Sequence, residues 1–137
     1  MPKVLISDEL SETAVNIFKE RGVDVTYEPK LGKDADKLLK VIGQYDGLAV
    51  RSATKATAAV IAAAKNLKVI GRAGIGVDNI DIPAATAAGI VVMNTPYGNA
   101  ITTAEHAIAM MFSLARQIPL ANASTHGGKW KNRGSWG

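Results

Sequence analysis

The sequence predicts an α/β protein: a flavodoxin-like, doubly wound parallel sheet of five strands in the order 2-1-3-4-5, followed by an apolar helix towards the C-terminus. Three observations point there. Five short apolar runs, often β-branched, recur along the chain without the polar alternation of a strand that has one wet face. Between them, apolar residues fall at helical spacing. Glycine, proline and small polar residues stand where helices would start and stop.

Taken in order, Lys3–Ser7 is the first strand-like run, and Leu10, Ala14, Ile17 and Phe18 mark one helical face that Gly22 is placed to cap. Val23–Tyr27 is the second strand. Ala35, Leu38, Leu39 and Ile42 repeat the helical face, which Gly43 is expected to stop. Gly47–Val50 is the third strand, and Thr57 is expected to cap a helix bearing Val60, Ile61, Ala64 and Leu67. Lys68–Gly71 is the fourth strand. Asp81 and Pro83 open a short helix that Gly89 closes, and Ile90–Met93 is the fifth strand. Such successive units imply right-handed crossovers, helices on both faces and ligands at the carboxyl ends of the strands.

The last helix reads differently. Thr102-x-x-Glu105 has the capping-box spacing, and the helix is expected from Thr102 to Arg116, ended by Ile118-Pro119. Its middle, Ala107–Phe112, has no polar side, and a helix apolar all round needs cover on more than one face. A further domain or a second copy is the expected cover, and burial of one patch by its twin predicts a homodimer through this helix. On this reading residues 1–100 form one domain, residues 101–130 a helical segment, and residues 131–137 a tail whose Gly134-Ser135 reads as an artificial junction.

Composition narrows the function classes. The 137 residues make about one domain, and 47% hydrophobic with 20% charged residues is ordinary for a globular protein. There is no cysteine, and only His106 and His126 could supply imidazole, so no metal site is expected. The N-terminus leads from Met1 straight into a strand, with no secretory signal pattern, and Ala107–Ala115 is too short to span a bilayer. A cytoplasmic protein without membrane contact is the expectation. The formal charge of +4 comes from scattered lysines, and only 5% of residues are aromatic. That suits a small anionic ligand and gives no footprint for nucleic acid.

Residues at strand ends carry function in such sheets. Gly74-x-Gly76 after the fourth strand invites the dinucleotide fingerprint, but Asn79 holds the third glycine position. The N–H groups of such a turn could still grip a carboxylate. Arg51 and Arg72, at adjacent strand ends, could converge on one anion, or each could be a surface charge or pair with Asp8 or Asp78. Glu105 and His106 are helix neighbours about 100° apart, so they form no acid–base couple; His106 reads as a packing residue and His126 as solvated. No catalytic residue is expected. A phospho-receiver is excluded by Arg51 after strand three, and a flavin binder by the acidic Asp8-Glu9 after strand one.

Four motifs, Val50-Arg51-Ser52-Ala53-Thr54-Lys55, Gly71-Arg72-Ala73-Gly74-Ile75-Gly76-Val77-Asp78-Asn79, Asn94-Thr95-Pro96-Tyr97-Gly98-Asn99 and Gly128-Lys129-Trp130, occur in order. Together they resemble the D-2-hydroxyacid dehydrogenase family, in its branch acting on 3-phosphoglycerate. The resemblance implies NAD-dependent oxidation of that substrate in serine synthesis. It implies that Arg51 and Ser52 line the substrate pocket, that the backbone of Ala73, Gly74 and Gly76 holds the carboxylate, and that Asn99 closes that side. Ile75 and Thr103 fall where the family meets the nicotinamide. Some members carry a hydroxyl residue at the position of Ile75, so its part is by backbone or packing.

The family's Gly-x-Gly-x-x-Gly and its catalytic Arg, Glu and His have no counterpart in this sequence. The chain alone is therefore expected to bind no NAD, to hold 3-phosphoglycerate weakly if at all, and to be inactive. The alternative is a self-associating structural module without ligand function.

Overall fold

The computed structural model describes residues 1–129. Five parallel strands, β1 (Lys3–Ile6), β2 (Asp24–Tyr27), β3 (Gly47–Val50), β4 (Val69–Arg72) and β5 (Val91–Asn94), form one sheet in the order β2-β1-β3-β4-β5, as the sequence predicts. Helices α1 (Glu12–Glu20), α2 (Ala35–Val41), α3 (Ala58–Ala63) and α4 (Ile82–Ala87) connect them. The chain divides into two compact units, Met1–Gly98 and the segment from Asn99 on. Helices α5 (Ala100–Ala115) and α6 (Ile118–His126) belong to the second.

Within the sheet unit the predicted punctuation operates. The Thr57 hydroxyl accepts the Val60 N–H at 3.4 Å, and the Asp81 carboxylate accepts the Ala84 N–H at 3.0 Å. Gly22 and Gly89 take the left-handed conformation just past α1 and α4, with φ of 72° and 69°, the conformation only glycine adopts without penalty. Gly43 acts otherwise than expected. The chain passes through it in a 3₁₀ turn over Ile42–Gln44, and an added Cβ would lie 3.1 Å from the Ala63 carbonyl oxygen. Its smallness serves the close approach to the end of α3, not a helix stop.

Side chains alternate between the faces of each strand, and the register aligns Leu5 with Leu48 and Leu48 with Ile70. That row packs with Leu38, Ile42, Val60, Ile61 and Ala85 into the main core. On the opposite face Ile6 and Ala49 pack with Val15, Leu10 and Phe18. The central strand β3 is buried throughout. The outer strand β5 is not: Val91 and Met93 are 58% and 55% exposed, contrary to the expectation of strands buried on both faces. The crossover from β1 to β2 runs one way along the sheet and the later ones run the other way. With one handedness, α1 falls on one face and α2, α3 and α4 on the other, so α1 covers only the β1–β2 side. An apolar groove of about 400 Å³ remains beside it, lined by Ala14, Phe18, Ala49, Gly71 and Met93 among others.

The second unit starts before the expected cap. Asn99 is the N-cap residue of α5 but makes no side-chain capping bond, and Thr102 lies inside the helix, so the capping box does not form. Nor does Ile118-Pro119 end the helical segment. Gln117 breaks it in a left-handed conformation (φ 51°), and Pro119 sits in the first turn of α6, where a missing N–H costs nothing. Neither helix has a buried residue. Residues 131–137, and Trp130 of the Gly-Lys-Trp motif, lie outside the described residues.

Candidate functional site

The site begins at the carboxyl end of β1. Asp8 is 2% exposed, and a carboxylate this buried requires donors. It has three. Its Oδ2 accepts the N–H groups of Arg51 at 2.6 Å and Thr54 at 3.1 Å, and its Oδ1 accepts the Thr54 hydroxyl at 2.6 Å. The Ser7 and Thr54 hydroxyls pair at 2.7 Å. Gly32 closes over the group: a Cβ there would collide with Thr54 Oγ1 and Asp8 Oδ1. Asp8 thus meets the backbone of the loop after β3, not the Arg51 side chain, whose Nη1 donates to the Glu9 carbonyl at 3.2 Å. Arg51 and Ser52 line an open cavity of about 490 Å³ together with Glu9, Tyr27, Lys30 and Lys33.

The opposite side of that loop is held by Asn79. Its Nδ2 donates to the carbonyls of Arg51 and Thr54, each at 2.7 Å. Asn79 is itself pinned, because its carbonyl accepts the Ala56 N–H at 2.9 Å.

After β4, Arg72 does not reach towards Arg51. Its Nη1 pairs with Asp78 Oδ1 at 2.8 Å, and its side chain is only 12% exposed. It lies against the Gly74-Ile75-Gly76 turn, since a Cβ on Gly76 would stand 3.2 Å from that Nη1 and 2.9 Å from Asp78 Oδ1. The Arg72 hydrogen bond, then Asp78's own backbone N–H, then the charge of Arg72 hold the Asp78 carboxyl below its ordinary value of 3.8. The two arginines therefore do not converge. A carboxylate six residues on along the same turn takes Arg72, and Arg51 turns to the end of β1.

The turn offers fewer donors than the sequence suggested. The Ala73 N–H donates to the Val50 carbonyl at 2.9 Å and the Gly74 N–H to the Arg72 carbonyl at 3.0 Å. Two carbonyls are also fixed: Gly74's accepts the Thr95 N–H at 3.0 Å, and Ile75's accepts Asn94 Nδ2 at 2.7 Å. In a trans peptide the N–H points opposite to the C=O, so the N–H groups of Ile75 and Gly76 are aimed away from the end of β5. Among the described residues neither has a partner. Such a pair of adjacent donors suits an anion. It does not suit a dinucleotide: residues 77–81 separate the turn from α4, so the turn's N–H groups are not the helix N-terminus on which a pyrophosphate rests.

Asn99 and Thr103 lie in the second unit, at the start of α5, with the Asn99 carbonyl accepting the Thr103 N–H at 2.9 Å. His106 and His126 are exposed on α5 and at the end of α6. Among the described residues no three His, Asp or Glu side chains gather as metal ligands, and no helix is long and apolar enough to cross a membrane.

Sequence reasoning missed the parts played by Asp8, Asn79, Asn94 and Thr95. Asp8, Asn94 and Thr95 stand within two residues of a strand's carboxyl end, which is the available signal, whereas Asn79 lies seven residues past β4. Their partners lie in the loops that follow neighbouring strands, so the pairings follow only from the strand order.

The family described as D-isomer specific 2-hydroxyacid dehydrogenase, catalytic domain, matches residues 4–129. The D-3-phosphoglycerate dehydrogenase of Archaeoglobus fulgidus is 52% identical over 131 residues, covering 96% of this chain and 24% of that protein. The human D-3-phosphoglycerate dehydrogenase is 50% identical, with the same coverage of 96% and 24%. Among solved structures, the NAD⁺-bound 3-phosphoglycerate dehydrogenase of Entamoeba histolytica superposes with a TM-score of 0.70 at 36% identity, covering 84% of this chain and 39% of that one. A glyoxylate reductase from Paecilomyes thermophila gives 0.80 at 28% identity, covering 96% and 43%. The chain belongs to the D-isomer specific 2-hydroxyacid dehydrogenases. It spans about a quarter of the length of the curated relatives it matches.

Proposed function

We propose that this chain is the substrate-binding domain of an NAD-dependent D-3-phosphoglycerate dehydrogenase serving serine synthesis in the cytoplasm, and that by itself it binds the substrate weakly and does not turn it over. The observation that carries the reading is the pair of anion grips at the carboxyl ends of β3 and β4: Arg51 and Ser52 on a cavity shared with Lys30 and Lys33, and the free N–H pair of Ile75 and Gly76. A phosphorylated hydroxy acid carries an anionic group at each end, and a guanidinium and a turn of free N–H groups are two ways to hold such groups. The relatives near 50% identity named as D-3-phosphoglycerate dehydrogenases support this substrate over other 2-hydroxy acids. NAD is assigned to the complete enzyme, because the Gly74–Gly76 turn does not fit a dinucleotide. Acid–base catalysis needs a proton-transfer group within hydrogen-bond reach of the reacting hydroxyl, and the sheet unit presents no imidazole.

Calorimetric titration tests this. D-3-phosphoglycerate is expected to bind more tightly than D-glycerate, and Arg51→Ala to weaken it by roughly tenfold, about the value of one charge-assisted hydrogen bond. Equal affinity for both ligands, or no binding, would overturn the substrate assignment. A steady rise in NADH absorbance with pure chain, NAD and D-3-phosphoglycerate would overturn the inactivity.

The exposed apolar side chains of α5, with Met111, Phe112 and Leu114 at 67%, 64% and 82% exposure, support a homodimer through this helix as part of the same proposal. Light scattering at micromolar concentration is expected to give twice the chain mass, and a monomer mass would contradict it.

A further inference from the structure

The loop that bears Arg51 and Ser52 has little packing of its own. Arg51, Ser52 and Ala53 are exposed, and Ser52 lines cavities on both sides, one shared with Arg51 and the other with Asp78 and Asn79. Side chains in such a segment are positioned only as well as its backbone is held. Here the backbone is gripped at the same two residues from opposite directions. Asp8 accepts the N–H groups of Arg51 and Thr54, and Asn79 donates to the carbonyls of Arg51 and Thr54. One anchor comes from the end of β1 and the other follows β4, so the loop after β3 is held from both neighbouring strands.

We infer that Asp8 and Asn79 form a two-sided clamp that fixes the Arg51–Thr54 loop in its ligand-presenting shape, and that they are positioning residues of the site without touching the ligand. Their chemistry is matched to the task. A carboxylate only accepts and so meets N–H groups, while an amide nitrogen donates two hydrogens and so meets two carbonyls. The orientation of the Asn79 amide is dictated by this arrangement, because the reverse would set its oxygen against two carbonyl oxygens. Both anchors are themselves immobilised: Asp8 by the Thr54 hydroxyl and the cover of Gly32, Asn79 by its backbone bond to Ala56. The ligand-binding part of this inference rests on the function proposed above; the clamp itself does not.

The discriminating variant is Asn79→Asp, which keeps the shape but replaces the donor with an oxygen facing the two carbonyls. Two readouts are needed: amide hydrogen exchange at Arg51 and Thr54, with Leu48 and Ile70 as reporters of global stability, and affinity for D-3-phosphoglycerate. The clamp predicts exchange at Arg51 and Thr54 faster by at least roughly tenfold, unchanged protection at Leu48 and Ile70, and affinity lower by a similar factor. Asn79→Ala, which adds no charge, should fall between it and the wild type, and it decides the matter if Asn79→Asp unfolds. Undiminished protection at Arg51 and Thr54, or a loosened loop with undiminished affinity, would overturn the inference. A wild-type chain that binds no D-3-phosphoglycerate would sink the proposed function, and the clamp would then stand or fall on exchange alone.

Discussion

The sheet unit builds a buried apolar core, and the helical unit buries no side chain among its described residues. Leu5, Ile6, Leu48 and Ile70 are at most 2% exposed, whereas Ile101, Phe112 and Leu114 are between 64% and 82% exposed. The two units also hold their helix ends differently. Helices α1 to α4 each have a side-chain N-cap, and α5 and α6 have none. In the first unit local signals and tertiary packing agree, which is the condition for a single stable fold. In the second, apolar sequence is present without burial, so the same residue types should contribute little to its stability.

Substitutions can break this contrast. The largest effect is expected from Ile70→Ala, which empties fully buried space and should cost about 4 kcal/mol in urea unfolding, while Phe112→Ala should stay within about 0.5 kcal/mol for the monomer. Similar losses for the two would show that the helical unit contributes a core after all. Next comes the buried carboxylate. Asp8→Ala strands three donors and is expected to cost about 3 kcal/mol, whereas Asp8→Asn should cost only about 1 kcal/mol, because the Thr54 hydroxyl can turn to accept from the new amide and donate to Ser7. Equal losses would mean that charge, not hydrogen-bond pairing, holds the group.

The caps sharpen the comparison at a smaller scale. Thr57→Ala and Asp81→Ala should each lower stability by about 1 kcal/mol, and Asn99→Ala by no more than a few tenths, since Asn99 makes no capping bond. The smallest effect belongs to Asp78. Its folded-state titration lies below its ordinary value of 3.8, so its contribution is present above that value and is lost as pH falls through the lowered one. The carboxylate is 85% exposed on its side chain, so solvent screens the pair. Asp78→Asn should be slightly less stable than wild type near neutrality and indistinguishable from it in strong acid; a gap that widened on acidification would contradict the pairing with Arg72.

Much of the sheet was legible because its signals are local. Apolar runs, Thr57, Asp81, Gly22 and Gly89 each specify a strand, a cap or a turn within a few residues of themselves. The exposure of β5 was not, since it follows from how many crossovers fall on each face. The Thr102-x-x-Glu105 box misled because a spacing pattern does not say where a helix starts. At the site, position and resemblance pointed to Arg51, Ser52 and the Gly74–Gly76 turn. The Arg72–Asp78 pair was among the states the sequence offered for Arg72, because both residues lie in one loop. The spent N–H group of Ala73 and the anchors Asp8, Asn79, Asn94 and Thr95 were not legible, because they depend on which loops the strand order brings side by side.

The most direct test of the account is a backbone amide NMR titration of the chain with D-3-phosphoglycerate, read separately in the two units. Shifts concentrated at Arg51, Ser52, Ile75 and Gly76, with α5 and α6 beyond Thr103 unmoved, are the predicted result. Shifts confined to α5 and α6, or none at any residue of the sheet's carboxyl end, would contradict it.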